Sequence, residues 1–229
     1  PQNPTGNCWT PDEMRAMGDL CIDKGVLVIA DEIHCDFVNK HATYTPYATL
    51  GDKYAQSSYT LKSTSKSFNL AAQHCAYLFS DNQEMIDNLK KSGHQRGSLN
   101  ALGMIACNAA YKYGRTYMDD MQSYIDGNCH FLENFCAENL PEIKYKAHEG
   151  TYLAFINASG VADKLGGPNG DQRVGDLLQR FFIEKAGVNL NPGENYGKNG
   201  VGYMRMNLAT THLKLHSALN AMKKAIDAI

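Results

Sequence analysis

The chain has 229 residues and a mass of 25.3 kDa, with 22 Lys and Arg against 24 Asp and Glu for a formal charge of −2. Its residues are 43% hydrophobic and 20% charged, which supplies one large core or two modest ones and excludes a disordered tail. Near-neutral charge gives no electrostatic footprint for nucleic acid or an anionic membrane, and no apolar run approaches the ~20 residues that a bilayer requires. No basic region followed by an apolar stretch opens the chain, so no secretory signal is read and a cytoplasmic protein is expected. The seven cysteines (Cys8, Cys21, Cys35, Cys75, Cys107, Cys129 and Cys136) are odd in number, scattered and without C-x-x-C spacing. That pattern argues against a zinc ribbon or a thioredoxin motif and for reduced thiols.

Pro1-Gln2-Asn3-Pro4-Thr5-Gly6 is turn chemistry, an unusual start for a domain, which predicts that the chain is a piece of something longer. Thr10 reads as an N-cap, with Pro11 at the first helical position and Glu13 completing a capping box. The helix carries Met14, Met17, Leu20 and Cys21 on one face and stops near Gly25. Val26 to Ala30 is a β-branched run of the kind buried on both faces, and it ends in Asp31-Glu32-Ile33-His34-Cys35-Asp36. Open α/β sheets place ligand chemistry at such strand ends. Strands are expected at Ser58–Leu61 and Cys75–Phe79, and helices at Asn82–Ser92, Leu99–Tyr113 and Met118–Asn139, with Gly114 and Pro141 as breakers. A strand at Thr151–Ala158, a helix at Gln172–Lys185, a strand at Val201–Ala209 and a closing helix at Leu213–Ile229 complete the series. Strands alternating with helices, followed by an α+β tail, predict an α/β fold: part of a doubly wound sheet over 1–118 and a smaller domain over 119–229.

Four positions carry candidate chemistry, and each has an ordinary alternative. An acid after a strand, such as Asp31, is a structural group or cap as often as a functional one. Lys66 lies among Ser63, Thr64, Ser65 and Ser67, where hydroxyls and backbone N–H groups can cradle a phosphate or simply form a turn. Arg205, on the alternating stretch Tyr203 to Leu208, either snorkels to solvent or waits for a carboxylate. Asn3 reads as a turn residue. No metal site is expected: Asp31, Glu32, His34 and Asp36 alternate faces without a second His/Cys group, and His212 and His216 lack the H-E-x-x-H glutamate. Gly197, Gly200 and Gly202 depart from G-x-G-x-x-G, and the pairs Phe131/Phe135 and Phe181/Phe182 read as core.

The order Asn-Pro-Thr-Gly, Asp-Glu-Ile-His, Ser-x-Ser-Lys-x-Phe-Asn and Arg-x-Asn resembles the fold-type I enzymes that use pyridoxal 5′-phosphate (PLP), the aspartate aminotransferase superfamily. Asp31 to Asp36, Ser65 to Asn69, Gly150 to Ala154 and Pro192 to Gly197 are most similar to its cystathionine β-lyase (C–S lyase) branch of MalY/PatB type. The resemblance covers the whole chain. It implies that 1–118 is the C-terminal part of a PLP-binding large domain and 119–229 the small domain. In that reading Lys66 links covalently to the cofactor aldehyde and then takes the substrate Cα proton. Asp31 keeps the ring nitrogen protonated, since a nearby opposite charge shifts a pKa by ~1–3 units. Asn3 and His34 contact the ring's phenolic oxygen, Ser63 and Ser65 hold the phosphate, and Arg205 grips the substrate α-carboxylate.

Most aminotransferases of the superfamily carry a tyrosine where this chain has His34, and a phosphate-binding arginine where it has Ala72-Gln73-His74-Cys75. Both departures suit the lyase branch. The resemblance thus implies β-elimination from cystathionine or cysteine-type amino acids to a thiol, pyruvate and ammonia, with transamination as the alternative. It also implies a homodimer, with the loop at Ser98 to Asn100 reaching the partner's site. An N-terminal portion that precedes the Asn-Pro-Thr-Gly turn in the superfamily is not in this sequence, which leaves an inactive truncated fragment as a third reading.

Overall fold

Residues 1–93 and 100–229 are described by a computed structural model of the chain. Ser98 and Leu99, in the loop expected to reach a partner, lie outside these residues. The chain divides into two compact units, one of residue 1 with 7–122 and the other of 2–6 with 123–229.

The first unit opens with helix α1 (Pro11–Asp23), whose capping box is formed: Glu13 N–H donates to Thr10 Oγ1 at 3.3 Å and Thr10 N–H to Glu13 Oε2 at 2.8 Å. Strand β1 (Val28–Asp31), helix α2 (Asp52–Ala55), strand β2 (Ser58–Ser63), helix α3 (Thr64–Ser67) and strand β3 (Ala76–Phe79) follow. Helices α4 (Gln83–Lys91), α5 (Ala101–Tyr113) and α6 (Arg115–Asn139) come next, and α6 continues into the second unit from residue 123. The division falls at 122/123, inside α6, rather than near 118.

The sheet of this unit has the order β1-β2-β3 and is mixed. β1 runs parallel to β2 (Val28 opposite Ser58, Asp31 opposite Leu61), whereas β3 is antiparallel to β2. Tyr47, Leu50 and Tyr54 form a buried cluster against which Met14, Val28 and Ala30 pack. Burial of β1 on both faces is not what this chain shows. β1 alternates, with Val28 and Ala30 inward and Ile29, 62% exposed, sharing the opposite face with Asp31. The α1 stripe is likewise narrower than expected: Met14 packs inward, while Met17 and Leu20 are exposed.

The second unit contains strand β4 (Leu153–Asn157), helix α7 (Ser159–Lys164), helix α8 (Val174–Phe181), strands β5 (Asn191–Pro192) and β6 (Tyr203–Asn207), and helix α9 (His212–Asp227). Its antiparallel sheet has the order β4-β6-β5. One face of β4 and β6 carries Ala154, Ile156, Met204 and Met206, all buried, as are Leu178 of α8 and Leu215 and Leu219 of α9. The other face carries Phe155, Tyr203 and Arg205.

Residues 2–6 join this second unit, a difference from the 1–118 domain, because the turn is tied to it. Gly150 N–H donates to Gly6 O at 2.8 Å, and Gly6, at φ +76°, packs where a Cβ would meet the His148 ring at 2.7 Å. Only glycine suits both demands. His148 is itself fixed by Tyr145 Oη at 2.7 Å and the Thr151 carbonyl at 3.1 Å.

Candidate active site

In the first unit the parallel pair sets the geometry. Register and pleat put Ile29, Asp31, Leu61 and Ser63 on one sheet face, and Asp31 and Ser63 at the carboxyl ends of adjacent strands. Adjacent strands lie ~4.8 Å apart and residues rise ~3.3 Å each, so Ser63 follows the position opposite Asp31 by about 7 Å. Ser63 closes β2 and caps α3, its Oγ accepting the Ser65 N–H at 3.0 Å. The same Oγ donates to the Cys75 carbonyl at 2.7 Å and touches Ser65 Oγ at 2.6 Å. Its single proton is therefore committed to Cys75, and Ser65 is the donor between the two hydroxyls.

Lys66 projects from α3 and is exposed. The turn beneath it is anchored by Ser67, fully buried, whose hydroxyl donates to Asp36 Oδ2 at 2.5 Å. Asp31 is exposed, because it stands on the open face with Ile29; its Oδ1 accepts the Ile33 N–H at 3.2 Å. The buried acid at the strand end is Glu32, which takes the Tyr47 N–H at 3.0 Å. His34 is buried in the turn after β1, its ring 6.3 Å from that of Phe37. Burial pushes the neighbouring Cys35 thiol up.

The second unit brings Asn3 and Arg205 together across 202 residues of sequence: Arg205 Nη1 donates to Asn3 Oδ1 at 3.0 Å. Alternation along β6 predicts Arg205 on the face away from the core, and it is there, beside its cross-strand neighbour Phe155. Its guanidinium carbon lies 4.8 Å from the centre of the Tyr196 ring. Among the described residues it has no carboxylate partner. Burial pushes the Tyr152 phenol up, and the positive charge of Arg205 draws it partly back. A cleft of about 710 Å³ opens on the same face, with Gln2, Thr5, Phe155, Tyr196, Lys198 and Tyr203 in its wall. Reasoning from sequence gave Tyr196 no role, although it sits in the Pro192 to Gly197 run; no local signal shows an aromatic ring beneath an arginine nine residues on. Ser67 and Asp36 were missed in the same way, since 31 residues separate them.

These geometries have relatives. The aminotransferase class I and II family profile matches residues 1–222. The chain is 33% identical to the cystathionine β-lyase PatB of Bacillus subtilis, over 99% of this chain and 57% of PatB. It is 32% identical to the protein MalY of Escherichia coli, over 100% of this chain and 56% of MalY. Among solved structures, the PLP-bound C–S lyase of Staphylococcus hominis superposes with a TM-score of 0.89 at 30% identity, over 99% of this chain and 56% of that one. Cystalysin of Treponema denticola, which contains pyridoxal 5′-phosphate, gives 0.89 at 27% identity, over 99% and 55%. The chain spans about half the length of the relatives it matches. Its α/β fold with a mixed sheet is that of the PLP-dependent fold-type I enzymes, and the chain belongs to the aminotransferase class I and II family.

Proposed function

We propose that this chain serves a PLP-dependent carbon–sulfur β-lyase that cleaves cystathionine or cysteine-type amino acids to a thiol, pyruvate and ammonia. The observation that carries the reading is the set of Asp31, Ser63, Ser65 and Lys66 at the carboxyl ends of two neighbouring parallel strands. The residues present suit the cofactor: an exposed primary amine for its aldehyde, a carboxylate for its ring nitrogen, and hydroxyls for its phosphate, on a face whose apolar floor is Ile29. Bound there, PLP supplies an electron sink for the pair released at the substrate Cα.

With the cofactor bound, Lys66 Nζ would hold its aldehyde carbon and would be the base for the substrate Cα proton. Asp31 stabilises the proton on the ring nitrogen. Ser65 turns its hydroxyl from Ser63 to the phosphate, since the Ser63 proton is committed. His34 and Asn3 are the groups that would meet the cofactor's phenolic oxygen. Arg205, which has no carboxylate partner among the described residues, would take the α-carboxylate through in-plane N–H groups and so orient the Cα–H bond. The first unit is the cofactor-binding part and the second the small domain, in a cytoplasmic homodimer.

A Bacillus subtilis relative named as a cystathionine β-lyase, at 33% identity, favours elimination over transamination; an Aquifex aeolicus protein named as a probable aspartate/prephenate aminotransferase stands at 25%. The test is incubation of the PLP-loaded protein with L-cystathionine, reading pyruvate and ammonia, beside Lys66→Ala. Equimolar products, lost in the variant, are expected. Amino transfer to a 2-oxo acid without pyruvate would make it an aminotransferase, and no turnover of either kind would remove the catalytic reading.

A further inference from the structure

Arginine side chains are long and rotamer-rich, so one that must receive a planar anion in a fixed orientation needs restraint from its surroundings. Arg205 has two restraints of different kinds. Asn3 Oδ1 takes one N–H at 3.0 Å, while the Tyr196 ring lies 4.8 Å from the guanidinium carbon. A hydrogen bond consumes a donor; a ring against the cation uses only its π-face and leaves the in-plane donors for a bidentate carboxylate.

The ring is itself held from three sides. It ends the short turn Gly193–Tyr196, in which Glu194 Oε2 accepts the Gly175 N–H of α8 at 3.0 Å. Asn195 Oδ1 accepts Arg173 Nη1 at 3.0 Å, and Arg173 is in turn fixed by Asp176 at 2.9 and 2.7 Å. Phe155, stacked on Tyr203 at 4.8 Å, meets Tyr196 edge-on at 6.4 Å. The ring is therefore referenced to both the start of α8 and the sheet that carries Arg205.

We propose that Tyr196 is a positioning residue for Arg205: its ring, braced by Glu194, Asn195 and Phe155, fixes the plane in which the guanidinium meets a substrate carboxylate. This rests on the reading of Arg205 as the carboxylate-binding group. Tyr196 touches no reacting atom, so its loss weakens binding of the acid more than it slows turnover.

The test uses the PLP-loaded protein with Tyr196→Phe, Tyr196→Leu and Arg173→Ala. Calorimetry compares L-methionine with its decarboxylated analogue 3-(methylthio)propylamine, and KM and kcat are read on L-cystathionine. Tyr196→Leu is expected to weaken methionine binding and raise KM about tenfold, with kcat changed less and the preference for acid over amine narrowed to match. Tyr196→Phe keeps the face and stays within about twofold of the parent. Arg173→Ala, which frees Asn195 without touching the ring, shifts the same preference in the same direction by less. Unchanged methionine binding in Tyr196→Leu, or no rescue by phenylalanine, would overturn the proposal. The calorimetric arm stands apart from turnover: a protein that prefers the acid yet releases no pyruvate refutes the lyase reading and leaves this one intact.

Discussion

Gly114 joins α5 to α6 and lies against Phe68, two residues beyond Lys66. A Cβ there would strike the Phe68 ring, with Cε1 nearest and Cδ1 at 3.0 Å, and would stand 2.5 Å from the Ala110 carbonyl. The backbone, at φ −88° and ψ 11°, is one that alanine adopts freely. Gly114→Ala therefore sets a gain of ~0.4–1 kcal/mol from reduced unfolded-state freedom against an overpacking cost of ~1–3 kcal/mol. The cost dominates because the ring cannot step aside: it is stacked on Tyr117 at 6.1 Å and held edge-on by Tyr111 at 5.7 Å. A net loss of about 1–2 kcal/mol is expected, a fall in Tm of roughly 2–8 °C for a chain of this size. Urea and thermal unfolding measure it, and Phe68→Leu in the same background tests the cause, because a smaller side chain should return part of the loss. A Gly114→Ala protein as stable as its parent, or one whose loss is the same with leucine at 68, refutes the steric account.

Other outcomes follow from single contacts. Thr10→Ala removes the capping box of α1 and should cost ~1 kcal/mol, read as a lower urea midpoint; no change would mean that the cap contributes nothing to stability. The hydrogen bond from Lys164, at 2.7 Å, holds the Glu142 carboxyl below its ordinary 4.5. A depressed folded-state pKa gives stability that is present above the ordinary value and lost as pH falls through the folded one. Glu142→Gln should therefore destabilise at neutral pH by under ~1 kcal/mol, given the exposure of Lys164, with the gap to the parent closing below about pH 4.5. Burial pushes the Cys136 thiol up to about 12, so a thiol reagent at pH 8 should leave Cys136 unmodified until the protein unfolds, while half-buried Cys8 and Cys21 react. Rapid native-state labelling of Cys136 would contradict its burial.

Features written in short stretches of sequence were readable in advance. Thr10, Pro11 and Glu13 fix the start of α1 within four residues, and alternation around Arg205 assigns its face because a strand has a period of two. Burial of β1 was not readable: β-branched residues fix the strand, but what covers Ile29 depends on elements elsewhere in the chain. The exposure of Asp31 follows from the same face. The motif order placed Asn3 and Arg205 in one resemblance, yet their contact spans nearly the whole chain, and no periodicity or spacing encodes it. Tyr196 lies within the Pro192 to Gly197 motif, but its part is not legible there, because a ring and a cation meet through the fold of the turn between them.

The grouping of residues 2–6 with 123–229 has a consequence for how the chain acquires its form on the ribosome. Residues 7–122 emerge as an uninterrupted block and can condense while translation is still under way. The turn at 2–6 has no such opportunity: its anchors at Gly150 and Arg205 are made only after that whole block, so it stays unlatched until they emerge. Translation order thus makes a segment synthesised ahead of residues 7–122 settle after them.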